Sequence, residues 1–279
     1  MNDGMVDGQI MDEKGSMGTL ALEPIIKLER LAMHAWPAVE VVELDGWLLR
    51  YAAGITRRAN SVWPNEMRGI PVLEENLARV ETFYAQRGLP ARFQICPAMQ
   101  PAQLDGFLAQ RGYRAVAQTA VQVGELAEML VRADGIGTVT GQLSVEVTSV
   151  PEPVWWECYA KADKVAPESI EGRKAICSQI DQAAAYAVVY RGGEAIAVGS
   201  AVAEAGWVGF YNVATLANHR RMGAAQLLMR ALGQWGVMQG AMGAYLQVMV
   251  NNEAAQSLYA RLGFVTGYYY TYREQVTGC

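Results

Sequence analysis

A chain of 279 residues can hold two domains of ordinary size or one large one, and 52% hydrophobic, 18% charged and 9% aromatic residues describe a packed protein, not a disordered one. With 23 Lys plus Arg against 28 Asp plus Glu the formal net charge is −5, which provides no basic field for a phosphate backbone and excludes a dedicated nucleic-acid binder. Four cysteines without C-x-x-C spacing (Cys96, Cys158, Cys177, Cys279) and two distant histidines (His34, His219) point to reduced thiols, a cytoplasmic setting and no metal core.

Residues 1–18 are rich in Gly, Asp and Met without periodicity and read as a disordered tail without chemistry. Asp3, Asp7, Asp12 and Glu13, with no apolar run after them, are the opposite of an export leader. The weak stretch Arg132–Gly141, with three glycines and no apolar stripe, reads as a connector and predicts two units, 19–140 and 141–279.

Three segments recur in order across that boundary. Gly46-Trp47, Phe93-Gln94-Ile95 and Phe107–Tyr113 in the first unit match Gly206-Trp207, Leu246-Gln247-Val248 and Leu258–Phe264 in the second, which predicts a tandem duplication.

The second unit is read as strands Ser144–Val150, Ala187–Tyr190, Glu194–Val202 and Trp207–Thr215, with helices between Trp155 and Ala185. A helix Gly223–Gln239, a strand Ala244–Val250, a helix Glu253–Leu262 and a strand Val265–Arg273 complete it. Alternating strands and helices predict an α/β arrangement around an open mixed sheet. Ala224, Leu227, Leu228, Ala231, Leu232, Trp235 and Met238 make one apolar face at 3.6 spacing. The uncharged run Ala231–Asn252 reaches the length of a membrane span, but four glycines and three glutamines make it a helix end followed by a buried strand.

Chemistry concentrates where strand Phe210–Thr215 runs through Leu-Ala-Asn-His-Arg220-Arg-Met-Gly223-Ala-Ala225 into the long helix. A basic turn with small residues at a helix start brings backbone N–H groups and positive dipole charge to an anion such as a pyrophosphate. It is neither a P-loop nor a dinucleotide fingerprint.

This segment, followed by Asn252-x-x-Ala255-x-x-Leu258-Tyr259-x-x-x-Gly263-Phe264, resembles the GNAT acyltransferase superfamily, whose phosphate signature R/Q-x-x-G-x-G/A is matched by Arg220-Arg-Met-Gly223-Ala-Ala225. The resemblance covers Gly206 to Phe264 in detail. It implies two GNAT-like units, each a mixed twisted sheet flanked by helices, the first degenerate and the second with splayed parallel strands that form an acyl-CoA cleft. It further implies an acetyl-CoA-dependent N-acetyltransferase acting by direct attack of a small-molecule or amino-acid amine, without metal or membrane, as monomer or homodimer. Val213 and Thr215 would contact the pantetheine, the Val213 N–H facing the thioester carbonyl as oxyanion donor. Arg220, Arg221, Gly223, Ala224, Ala225 and Gln226 would hold the pyrophosphate, Asn252 would contact the cofactor or brace its helix, and Tyr259 would protonate the thiolate.

Departures from the pattern affect the base. No carboxylate lies between Trp207 and Thr215, so Glu204, more readily a solvated hairpin residue, is the nearest candidate, and water relayed by backbone or Tyr211 is the alternative. His219 reads as a loop residue near the adenosine phosphates. The Tyr268–Tyr270 run with Tyr272 divides between core and acceptor side. Arg57-Arg58 and Trp63-Pro64 are open to a pocket role, though a solvated turn and a packed aromatic are the simpler reading. Leu108 stands where the second unit has Tyr259, and 47–93 holds no phosphate signature, so one site per chain is expected. The variable acceptor region, about 159–180, carries mixed charge. Two further readings are a non-catalytic acyl-CoA-binding protein and a purely structural tandem protein.

Overall fold

The computed structural model describes residues 20–66, 68, 72–135 and 143–276; the expected tail and the 140/141 junction lie outside the described residues. The first half comprises α1 (Leu22–Ala35), β1 (Glu40–Leu44), β2 (Trp47–Tyr51), β3 (Val62–Trp63), α2 (Leu73–Ala85), β4 (Arg92–Ile95), α3 (Leu104–Gln110), β5 (Arg114–Glu125) and α4 (Leu126–Gly135). The second comprises β6 (Leu143–Thr148), α5 (Pro153–Ala162), α6 (Pro167–Cys177), β7 (Ala183–Arg191), β8 (Glu194–Glu204), β9 (Trp207–Thr215), α7 (Ala224–Met238), β10 (Gly243–Met249), α8 (Glu253–Arg261) and β11 (Val265–Glu274).

All eleven strands form one sheet in the order β1-β2-β3-β4-β11-β5-β10-β9-β8-β7-β6. The two units exchange strands. β5, which follows α3 in the first half, runs antiparallel to β10 from Glu125↔Gly243 to Thr119↔Met249. β11, which follows α8 in the second, runs antiparallel to β4 from Ile95↔Thr271 to Arg92↔Glu274. The two exchanged strands pair with each other at the centre, Val265↔Val123 to Glu274↔Arg114. The order therefore reads as two similar half-sheets meeting at a central β11/β5 pair, and neither half has a complete sheet of its own.

Two of the three recurring segments occupy equivalent places. Phe93–Ile95 lies in β4, parallel to β3, as Leu246–Val248 lies in β10, parallel to β9. Helices α3 and α8 end alike: Gly112 and Gly263 take φ of 80° and 92°, with Tyr113 N–H bonded to Leu108 O and Phe264 N–H to Tyr259 O. The Gly-Trp pair does not correspond. Trp207 opens the strand parallel to β10, whereas Trp47 opens β2, antiparallel to β3, which holds the place equivalent to β9.

Helix α7 buries Ala224, Leu228, Met229 and Leu232, but its face is rotated from the expected one and leaves Met238 74% exposed. Gly233 and Gly236 fix that rotation. A Cβ at 233 would lie 2.5 Å from Met129 on α4, and one at 236 would lie 3.1 Å from Val208 on β9, so the helix packs through its glycines. The expected connector is in part helix: Arg132–Gly135 completes α4, whose Ala133 is buried and whose Asp134 pairs with Arg230 at 2.5 Å. Ala183–Ala185 belongs to β7, not to a helix.

Candidate active site

Strands β9 and β10 pair in parallel over only four residues, Trp207↔Gly243 to Phe210↔Leu246, and then part. The cause lies on the other side of β9. Its pairing with β8 shifts between Tyr211↔Ser200 and Ala214↔Val198, so Asn212 and Val213 together face one residue, and Asn212 takes φ 55°. A bulge bends a strand and withdraws backbone groups from the ladder; here it opens a cavity of about 700 Å³. Val213, Asn252 and Tyr259 line it, so these three expected site residues are brought together.

The turn after β9 also has the expected local form. Arg221 and Gly223 adopt left-handed φ of 62° and 85°, and Gly223 is the N-cap of α7. The first helical bond is Leu227 N–H to Gly223 O at 2.9 Å, so the amides of Ala224 and Ala225 precede it, and no acidic residue lies in the first turn. Arg220 and Arg221 are exposed, with Arg220 Nε 3.5 Å from Thr215 O. The Gln226 side chain is buried and donates to Ala133 O at 2.5 Å, which ties this helix start to α4. Helix α2, at the equivalent place in the first half, begins with Glu74 and Glu75, which repel an anion there.

Tyr259 is 8% exposed, packs edge-on against Phe264 and has no hydrogen bond to a described residue. Burial pushes its phenol up to about 12. Asn252 Oδ1 accepts from Ala255 N–H at 3.2 Å and so caps α8. Glu204 sits at the hairpin end of β8, away from the parted strands, and its carboxylate takes His34 Nδ1 at 2.9 Å. Tyr211 donates its hydroxyl to Tyr245 at 2.8 Å; burial, opposed by Arg58, holds its phenol above the ordinary range. His219 faces Glu194 at 3.6 Å.

The rest of the wall comes from places that sequence reading undervalued. Arg58 lines the cavity with its guanidinium over the Tyr211 ring, 5.5 Å from the centroid, instead of lying solvated in a turn. Its neighbour Arg57 is half-exposed beside Glu274. Trp63 is the packed aromatic expected, with its Nε1–H directed to the buried carboxylate of Glu29 at 3.3 Å. Tyr270 and Tyr272 point into the cavity while Tyr269 is exposed. From the acceptor region only Asp163 and Arg173 reach the lining. Among the described residues no group of three or more His, Cys, Asp or Glu could hold a metal, and no helix is long and apolar enough to cross a membrane.

The chain is similar to known proteins over most of its length. Residues 23–273 match the family described as "Probable histone acetyltransferase Rv0428c C-terminal". The chain is 32% identical over 243 residues, 87% of its length and 95% of the relative's, to an uncharacterized N-acetyltransferase, YobR, of Bacillus subtilis. It is 29% identical to the probable histone acetyltransferase Rv0428c of Mycobacterium tuberculosis, covering 85% of this chain and 69% of that one. Among solved structures, a GCN5-related N-acetyltransferase from Kribbella flavida superposes with TM-score 0.66 at 17% identity, over 90% of this chain and 96% of that one. A tandem GNAT protein from the clavulanic acid biosynthesis pathway gives 0.61 at 13% identity, over 94% and 91%. The chain belongs to the Rv0428c C-terminal family and is an N-acetyltransferase with the fold of tandem GNAT proteins.

Proposed function

We propose that the chain transfers an acetyl group from acetyl-CoA to a primary amine of a small molecule, by direct attack, in the cleft between β9 and β10. The observation that carries this reading is the bulge at Asn212-Val213, which parts the strands beside a buried, protonated Tyr259 and upstream of the Gly223 helix start. The backbone amides at Gly223–Gln226, with Arg220 and Arg221, suit a pyrophosphate, and the chain between Val213 and Thr215 suits an extended pantetheine. The neutral amine attacks the thioester carbonyl, the Val213 N–H takes the developing oxyanion, and the C–S bond breaks as Tyr259 gives its proton to sulfur. The amine proton leaves through the cavity, whose one lining carboxylate is Asp163.

The acceptor side is walled by Trp36, the 54–58 loop and Arg173, which favours a small acceptor over a protein tail. A histone, which the mycobacterial relative's name suggests, would bring to these arginines further basic side chains besides the reacting amine. The test is release of CoA thiol from acetyl-CoA across a panel of amines, with the acetylated product identified by mass. Turnover of small amines is expected; turnover of lysine-rich peptides alone would replace the small acceptor by a protein.

A further inference from the structure

The cleft holds more positive charge than its neighbours neutralise. Four arginines line it, Arg57, Arg58, Arg92 and Arg173, against the single carboxylate of Asp163. Glu274 takes up two of them, with Oε2 2.5 Å from Arg92 Nε and 3.3 Å from Arg57 Nε. Among the described residues neither Arg58 nor Arg173 has a carboxylate within 4.0 Å. Both have a buried Nε without a hydrogen-bond partner, although Arg173 spends Nη1 on the Tyr159 hydroxyl at 2.9 Å.

Both guanidiniums are part-buried and, among the described residues, hydrogen-bond only to a hydroxyl, Arg58 to that of Tyr270 and Arg173 to that of Tyr159, so each keeps donors to offer, and planar N–H forks of this kind match a carboxylate in two-point contact. The place also decides which ligand. Arg58 stacks on Tyr211, two residues before Val213 on β9, and so stands at the acyl end of the cleft, whereas the Gly223 turn that suits phosphates does not line this cavity.

We propose that Arg58, with Arg173, is an anion site for the acceptor, and that the preferred acceptor is a small primary amine bearing a carboxylate. This rests on the acetyl-transfer reading for its chemistry but not for its binding. The first half, degenerate as a transferase, thereby supplies through its 54–58 loop the residue that selects the substrate of the second.

The experiment compares amino acids with their carboxamides, which keep the amine and remove the charge. Calorimetric titration into the intact protein saturated with CoA reads binding, and thiol release from acetyl-CoA reads turnover. At least one acid is expected to bind about 30-fold or more tighter than its carboxamide. Arg58→Gln is expected to raise KM for that acid about ten-fold or more, with acetyl-CoA KM within about two-fold of the parent, and Arg58→Lys to recover part of the loss. Equal binding of every acid and its carboxamide by the parent protein overturns the anion site, whether or not the variants fold. So does an Arg58→Gln defect that falls on acetyl-CoA KM. Acid-selective binding with no thiol release from any amine would keep the site and sink the transferase reading. Thiol release without acid preference would do the reverse.

Discussion

A phenol pushed up to about 12 by burial stays protonated at any pH at which the enzyme works, so Tyr259 is suited to giving a proton and unsuited to taking one. Its activity as an acid is lost only as pH rises through that raised value, so kcat is expected to show no alkaline fall from this group between about pH 7 and 10. Tyr259→Phe keeps the ring against Phe264 and removes only the proton. We expect kcat to fall about 10²-fold with thermal stability nearly unchanged, measured by single-turnover thiol release. Unchanged chemistry in that variant would make Tyr259 part of the wall. Gly223 is needed for a different reason: its φ of 85° costs a β-branched residue roughly 1–2 kcal/mol and its Cβ would crowd an approaching pyrophosphate. Gly223→Val should therefore fold and lose the thermal shift caused by CoA. That Val213 and Tyr259 lie at the cleft, and that a left-handed turn falls at Gly223, was legible through the resemblance carried by the segment from Gly206 to Phe264. Arg58 was not, because what buries it is Tyr211 of the other half, about 150 residues away in the chain.

Elements carry the site through their ends. Asn252 caps α8, the helix that presents Tyr259, so Asn252→Ala should cost about 1 kcal/mol in chemical unfolding and lower kcat through a loosened helix. Asn252→Ser keeps a capping oxygen and should restore both; restored stability with kcat still low would instead give Asn252 a direct contact with the substrate. The strands and helices of the second half could be read from periodicity, and Trp207–Thr215 agrees residue for residue. The α7 face was misplaced because an apolar count cannot see that Gly233 and Gly236 are the points of closest approach. The end of α4 was missed for a related reason: Arg132 and Asp134 are polar because one pairs with Glu128 and the other with Arg230, not because the chain leaves the fold.

At the scale of the molecule, the exchange of β5 and β11 makes the two halves one folding unit. A chain of residues 141–279 lacks β5, so β10 and β11 would present unpaired edges at the floor of the cleft. It is expected to aggregate or to unfold without a cooperative transition, while the intact protein unfolds in one; a soluble, CoA-binding 141–279 fragment would show that the exchange is dispensable. Sequence repeats announced the duplication but not the exchange, since pairing between distant strands leaves no local mark. In the first half the equivalent positions differ: Leu108, in the place of Tyr259, is fully buried in the core, and the helix start of α2 is acidic. On the proposed function the chain has one place for a CoA thioester, to which the first half lends residues. Calorimetric titration of CoA into the intact chain tests this directly. One molecule bound per chain is the predicted result; two bound per chain would contradict it.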